Sequence, residues 1–131
     1  MNEHDKSPKL FDSTLKPTGL TRILLATKNS YTAFQWLFKN ESAFRQECLL
    51  LAITVPISFL FNITAMEQVI LICSVLFIML TEIVNTAIEV IVDRISLELH
   101  PLSGLAKDLG SAAVGTSLII AGLIWAVILF L

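Results

Sequence analysis

A ladder of four polar side chains interrupts and follows the apolar run of residues 69–92: Glu82, Asn85, Glu89 and Asp93. At 100° per residue they share an arc of about 80° on one helix face. Asp93 lies at the end of the run, and Glu82 lies roughly 16 Å deeper along the axis. Ionisable side chains inside a membrane-spanning helix usually face a bundle interior or a wet cavity and mark functional sites. We therefore predict that this polar ladder carries the chemistry.

The spacing of the carboxylates indicates a bound cation. Glu89 and Asp93 are four residues apart, so their charges repel on a helix, and a cation would remove that repulsion. A single helix face supplies too few oxygen ligands, and Glu41 in "NESAFRQE" is placed to reach the cytoplasmic end of the ladder. Mg²⁺ binds carboxylates together with substrate phosphates. A cation site near the surface and a deeper carboxylate, Glu82, would suit a reaction between a water-soluble phosphate donor and a lipid hydroxyl.

The composition indicates an integral membrane protein. Of 131 residues, 55% are hydrophobic and only 15% are charged, with a mean hydropathy of +0.77. Typical globular proteins have roughly 25% charged residues. A net charge of −2 gives no reason to expect nucleic acid. Cys48 and Cys73 lie in apolar segments, where we expect buried free thiols that act as small hydrophobic side chains.

Three apolar segments predict spans at about 47–65, 68–93 and 110–131. The first is short and is interrupted by Pro56, a residue that can kink a helix. Seven of the nine Lys and Arg residues precede the first span, and the other two lie between the second and third. Because Lys and Arg favour the cytoplasmic side, we expect a cytoplasmic N-terminus and 94–110 loop, with the C-terminus outward.

Two further helix faces have recognisable patterns. Residues 20–40 predict an amphipathic helix on the cytoplasmic membrane surface, with an apolar stripe and interfacial Tyr31 and Trp36. The third span carries small residues that permit close helix approach: Ser111, Gly115, Gly122 and Ala126. For residues 1–18 we expect a polar, mobile tail, since they contain no apolar core of the signal-peptide kind. We therefore expect one membrane domain over residues 19–131.

The residues alone leave three functional classes open. The first is a phosphotransferase without a Walker A motif or a kinase Gly-rich loop, since the five glycines form no phosphate cradle. The second is a proton or ion relay through Glu82 and Glu89, although the outer half of the second span has no ionisable residue beyond Glu67. The third is a structural oligomer whose ladder is a polar zipper between helices.

Three motifs, "NESAFRQE", "EIVNTAIEVIVDRIS" and "HPLSGLAKDLGSAAV", resemble the small bacterial integral-membrane diacylglycerol kinases. The resemblance covers the chain from about Gly19 to the C-terminus. It implies a homotrimer of three-span protomers in the bacterial inner membrane, with a surface helix and active sites built between protomers. It also implies transfer of the γ-phosphoryl group of MgATP to the primary hydroxyl of diacylglycerol, giving phosphatidic acid for phospholipid recycling.

The resemblance also assigns roles to individual residues. Glu82 matches the catalytic base and Asn85 a polar residue beside it, while Glu41 and Glu89 match the metal ligands and also contact the nucleotide. The remaining matched positions surround the nucleotide (Arg22, Asn29, Glu98, His100, Lys107, Asp108) or the lipid (Arg22, Ser30, Glu47, Glu82, Ser111).

Two segments depart from the family pattern. "NSYTAF" replaces an aromatic-Ser-Trp-Lys-Gly pattern around residues 29–33, and the outer loop "FLFNITAMEQ" lacks the expected Trp and charges. A branch of the family with the same ladder phosphorylates undecaprenol instead. "NESAFRQE" and "GSAAV" look more like the diacylglycerol branch, which we therefore prefer.

Overall fold

Four α-helices make up the part of the chain that the computed structural model describes, residues 18–96 and 98–130. They are α1 (Gly19–Asn40), α2 (Ser42–Ser58), α3 (Ala65–Ile95) and α4 (Pro101–Phe130), and these residues contain no strand. The all-α prediction is confirmed for them. The predicted polar tail lies outside the described residues apart from Thr18. The chain divides into two compact units, up to Trp36 and from Leu37.

In the first unit, α1 contains apolar residues of the stripe predicted from the sequence, and all of its side chains in this unit are exposed. Leu20, Ile23, Leu24 and Tyr31 are each more than half exposed. The Thr27 hydroxyl donates to its own helix, with its Oγ1 3.0 Å from the carbonyl oxygen of Ile23.

In the second unit, the helices differ in their bounds from the predicted spans. α2 begins at Ser42 and ends at Ser58 instead of covering residues 47–65. The turn after Pro56 ends it, where the backbone N–H groups of Phe59 and Leu60 donate three residues back. Its 17 residues fall short of the about 20 that cross a bilayer. Two helices, α3 and α4, are long and apolar enough by length and composition to span a membrane.

α4 begins nine residues before the predicted third span. Pro101 occupies its first position, where a missing N–H is tolerated. His100 precedes it, and the backbone N–H of Leu102 donates to His100 Nδ1 at 3.2 Å. The first turns of α4 are helical but polar, so a hydropathy pattern locates only its apolar part.

A capping box begins α3 and accounts for Glu67. The Thr64 backbone N–H donates to Glu67 Oε2 at 2.7 Å, and the Glu67 N–H donates to Thr64 Oγ1 at 3.3 Å. This reciprocal pairing satisfies two N–H groups that the first helical turn otherwise leaves without partners. The signal is present in the sequence as Thr-x-x-Glu.

α3 packs against both α2 and α4 in this unit, through apolar and small polar side chains. Leu71, Val75 and Ile78 are almost fully buried. Hydrogen bonds join the helices at three levels: Gln68 Nε2 to Ser58 Oγ at 3.1 Å, Trp125 Nε1 to Ser74 Oγ at 3.1 Å, and Thr81 Oγ1 with Ser117 Oγ at 2.9 Å. Such bonds hold helices together where lipid removes the hydrophobic driving force between them.

The small residues of α4 that meet α3 are not those of the predicted stripe. Gly110, Ser117 and Ala121 are buried, whereas Ser111 and Ala126 are exposed. A Cβ added at Gly115 or Gly122 would meet nothing within 4 Å. The contact face of α4 is therefore rotated from the predicted stripe, which stays open within this chain.

The prediction of two buried cysteines is wrong. Cys73 is exposed and Cys48 is only partly buried, and both are free. Position 73 falls on an outer face of α3, between the buried residues Leu71 and Ser74. A thiol's apolar character does not fix which face of a helix in lipid it occupies.

Replacing Thr81 with Val will lower the free energy of unfolding by about 0.6 kcal/mol, the average for hydrogen bonds between membrane helices. The change keeps the side-chain shape and removes the hydroxyl that pairs with Ser117. Thr116→Val is the matched control, because among the described residues its hydroxyl donates only to the carbonyl of Ala112 on its own helix. The free energy of unfolding of both variants is measured in detergent micelles. Equal losses in the two variants would contradict an interhelical role for Thr81.

Candidate functional site

The polar ladder of α3 passes from buried to exposed in the predicted order. Glu82 and Asn85 are 7% and 8% exposed, Glu89 is partly buried and the Asp93 side chain is 53% exposed. A regular helix over Ala65–Ile95 keeps all four on one side, because their spacing stays within an 80° arc. The ladder thus connects a buried carboxylate with an exposed one.

Carboxylates from the beginning of α2 join the ladder. Glu41 is the residue that precedes α2, and Glu47 is buried one and a half turns into it. Glu82 experiences the negative charges of both Glu89 and Glu41, and Glu47 experiences that of Glu82. Burial intensifies such repulsion because less water screens it. Glu41, Glu47 and Glu89 thus each repel Glu82, and we call the four residues the carboxylate cluster (Glu41, Glu47, Glu82 and Glu89); a bound cation would relieve this repulsion.

The oxygens of this cluster are hard ligands, which suit Mg²⁺ rather than a soft metal. Within residues 18–96 and 98–130, no three His, Cys, Asp or Glu side chains form a group that could hold a metal ion. Mg²⁺ does not need one, since it is commonly held by one or two carboxylates with water and substrate phosphates. Glu47 Oε2 is buried without a hydrogen-bond partner from the described residues.

Asn85 connects the cluster to α4. Its Nδ2 donates to Glu89 Oε1 at 3.1 Å, one turn further along α3. Its Oδ1 is buried without a hydrogen-bond partner in the described chain, and it fills the space that a Cβ at Gly110 would need. The side chain is therefore confined between a carboxylate on its own helix and the backbone of α4.

A second group of polar residues surrounds the junction of α3 and α4. Asp93, Glu98, His100 and Lys107 are among the residues lining a cavity of about 440 Å³ there. The Lys107 ammonium donates to Asp93 Oδ1 at 2.6 Å, and both side chains are well exposed. His100 Nδ1 accepts from the Leu102 N–H and so caps α4. The junction thus offers a cation, a carboxylate and an imidazole beside an open space.

The structure divides the predicted site residues among several places. The cluster together with Asn85 is one group, and Glu98, His100 and Lys107 are another. Asp108 and Ser111 are exposed on α4 and line neither. Arg22, Asn29 and Ser30 belong to the first compact unit, where Arg22 and Ser30 border the same groove of α1.

Two contacts at the site were not predicted from the sequence. In the sequence, Gly110 is only one of five glycines, and its contact with Asn85 depends on how α4 crosses α3. Helical spacing includes Asp93 in the ladder, but its pairing with Lys107 spans the helix junction. In the sequence, the "AKD" motif of residues 106–108 indicates that Lys107 belongs to the site, but it does not indicate the pairing with Asp93.

Comparison with known proteins gives consistent matches. The family model for prokaryotic diacylglycerol kinase matches residues 28–129. A diacylglycerol kinase of Haemophilus influenzae is 48% identical over 115 residues, covering 88% of this chain and 98% of the relative. One from Pseudomonas aeruginosa is 46% identical over 86% of this chain and 91% of its own, and one from Escherichia coli is 44% identical over 86% and 93%.

Proposed function

This chain belongs to the prokaryotic diacylglycerol kinase family. From that premise we propose that its carboxylate cluster catalyses the phosphorylation of diacylglycerol in the membrane. ATP is the co-substrate that a kinase of this family uses. The product is phosphatidic acid, and recycling of diacylglycerol into phospholipid synthesis is the proposed role. The observation that carries the proposal is the buried Glu82 within a carboxylate cluster on a helix apolar enough to span a membrane.

Glu82 is proposed as the general base. Its carboxylate takes the proton from the primary hydroxyl of the lipid as that oxygen attacks the γ-phosphorus of ATP. The new O–P bond forms while the bond to the β,γ-bridging oxygen breaks, and ADP leaves with the electron pair. Glu82 suits this role because it is the buried end of the ladder, where a lipid hydroxyl arrives from the bilayer.

Glu41 and Glu89 are proposed to hold Mg²⁺. Both are carboxylates that act electrostatically on the same partner, Glu82, so a cation near them also neutralises charge around the base. When bound, Mg²⁺ would offset the charge of the ATP phosphates. Asn85 holds Glu89 in place through its amide hydrogen bond.

The remaining residues are proposed to position the two substrates. Lys107 stabilises the charge of the transferred group, because its ammonium lies beside the cavity at the helix junction. Nucleotide contacts are assigned to Arg22, Asn29, Glu98, His100, Lys107 and Asp108, and lipid contacts to Arg22, Ser30, Glu47 and Ser111. Positioning is most of what phosphoryl transfer requires.

We also propose a homotrimer in the bacterial cytoplasmic membrane, with three spans per protomer and composite sites. The open stripe of small residues on α4 supports close approach by a second chain. α2 would form the first of the three spans together with the turn that follows it. The distribution of Lys and Arg supports a cytoplasmic N-terminus and an outward C-terminus. α1 would lie on the cytoplasmic surface, with its apolar stripe in the interface.

Replacing Asp93 with Asn will lower the KM for MgATP by up to about fivefold. Lys107 must leave Asp93 to contact phosphate, and because the ion pair is exposed and screened by solvent, the competition is weak and the change only a few-fold. Steady-state kinetics at low salt measures the change, which should shrink at high salt as the pair is screened. An unchanged or raised KM would contradict competition between Asp93 and phosphate for Lys107.

The proposed function is tested with purified protein in mixed micelles. Diacylglycerol and undecaprenol are offered separately with ATP, with and without Mg²⁺, and the phosphorylated lipids are separated and counted. We expect phosphatidic acid that depends on Mg²⁺ and a slower reaction with undecaprenol. Faster phosphorylation of undecaprenol would leave the proposed mechanism unchanged and would identify undecaprenol as the preferred substrate. No phosphorylated lipid from folded protein would reject the kinase and favour an ion relay, tested by dissipation of a pH gradient in liposomes without ATP.

A further inference from the structure

We infer that Gly110 is a positioning residue that keeps the Asn85 amide directed at Glu89. The inference rests on the proposed function, because it assumes that Glu89 holds the metal ion that accompanies ATP. It concerns a residue on α4 to which the proposed function assigns neither a substrate nor a metal contact. Its action is transmitted through one side chain, that of Asn85, across the contact between two helices.

The geometry at Gly110 differs from that at the other glycines inside α4. A Cβ at Gly110 would overlap Asn85 Oδ1 and lie 3.2 Å from Asn85 Cγ and 3.6 Å from its Cα. A Cβ at Gly104, Gly115 or Gly122 would meet nothing within 4 Å. Glycine is a poorer helix former than alanine, and only at Gly110 among these four does a neighbouring side chain give a steric reason for it. At Gly110 that reason is the space occupied by the Asn85 amide.

The amide has little freedom to move elsewhere. Asn85 is only 8% exposed, so the surrounding side chains confine it. No donor among the described residues bonds to its Oδ1, so no hydrogen bond would hold the amide in a different orientation. Its only hydrogen bond in the described chain is the one from Nδ2 to Glu89 Oε1. A methyl group at position 110 would push the oxygen away from α4 and rotate the donor off Glu89. Glu89 would then lose the group that orients it.

Orientation matters because Glu89 is a proposed metal ligand and Asn85 Nδ2 is the donor bonded to its Oε1. Without the Asn85 donor, the Glu89 carboxylate is expected to turn away from Glu82 and from the metal position. Hydrogen bonds to ligating carboxylates typically contribute 10–100-fold to metal affinity. The inference therefore predicts a change in metal affinity from a substitution that adds one methyl group on a different helix.

The test is Mn²⁺ binding, followed by electron paramagnetic resonance with the full chain in detergent micelles and the β,γ-methylene analogue of ATP. We expect Gly110→Ala to weaken Mn²⁺ binding at least tenfold. Val127→Ile is the control, since it also adds one methyl group on α4, at an exposed position outside the stripe of small residues. It should bind Mn²⁺ as the wild type does. Thermal unfolding of each variant shows whether it is folded.

A double-mutant cycle separates positioning from a general packing effect. Once Asn85→Ala has removed the amide, adding Gly110→Ala should weaken Mn²⁺ binding no further, because the methyl group acts only through Asn85. This comparison also decides the question if Gly110→Ala alone does not fold: equal binding by Asn85→Ala and the double variant supports the inference. A further loss in the double variant overturns it.

The remaining outcomes distinguish a failure of the Gly110 inference from a failure of the proposed kinase function. Binding by folded Gly110→Ala within twofold of the wild type overturns the inference alone. Wild-type protein that phosphorylates diacylglycerol but binds no Mn²⁺ with the nucleotide analogue overturns the inference together with the metal role of Glu89. Wild-type protein that makes no phosphorylated lipid rejects the proposed function as well.

Discussion

Replacing Glu82 with Gln will reduce kcat for lipid phosphorylation by about 10²–10⁴-fold, the usual contribution of a general base. The amide has nearly the same shape as the carboxylate but cannot accept the hydroxyl proton. It also removes a buried negative charge that is repelled by Glu89 and Glu41, so the protein should be no less stable. The measurement is kcat in mixed micelles beside the free energy of unfolding.

Glu67→Gln is the matched control for this variant. It makes the same chemical change on the same helix, but at the capping box, where glutamine can replace glutamate. It should keep both activity and stability. Full activity in folded Glu82→Gln protein would reject Glu82 as the base, and an equal loss in Glu67→Gln would show that the effect is not specific to the ladder.

The second large effect is expected from Glu89→Gln. This variant should raise the Mg²⁺ concentration needed for half-maximal activity by more than tenfold, because it removes one of two charged ligands. Activity should be partly restored at high Mg²⁺, unlike that of Glu82→Gln. The measurement is a Mg²⁺ titration of activity at saturating diacylglycerol and a fixed concentration of free ATP.

Glu41→Gln provides a comparison for the metal assignment. If Glu41 and Glu89 hold the same ion, the loss in the double variant should differ from the sum of the single losses, since ligands of one site act together. Additive losses would indicate separate sites. A Mg²⁺ requirement in Glu89→Gln equal to that of the wild type would remove this residue from the metal site.

The sequence was sufficient to predict the helical ladder and its direction. The positions of Glu82, Asn85, Glu89 and Asp93 follow from the geometry of a single helix, so spacing alone orders them. The burial of Glu82 and exposure of Asp93 agree with that order. The membrane character followed from composition and from the length of the apolar runs, and α3 and α4 meet the length and hydropathy that a span requires.

Contacts between helices could not be predicted in the same way. The pairs Thr81–Ser117 and Ser74–Trp125 depend on the crossing geometry of α3 and α4, which no periodicity within one helix contains. The same geometry brings Gly110 against Asn85 and leaves the small stripe outside that contact. The polar start of α4 was missed because hydropathy detects apolar residues, whereas Pro101 and the His100 cap define where the helix begins.

The measurement that tests the account most directly is the stereochemical course at phosphorus. Carboxylates serve either as general bases or as nucleophiles that become phosphorylated, and Glu82 is assigned the first role. ATP made chiral at the γ-phosphorus by oxygen isotopes would be used with diacylglycerol, and the configuration of the phosphatidic acid determined. Direct transfer to the lipid hydroxyl predicts inversion. Retention would indicate a phosphorylated enzyme intermediate and would contradict Glu82 as a base acting in a single displacement.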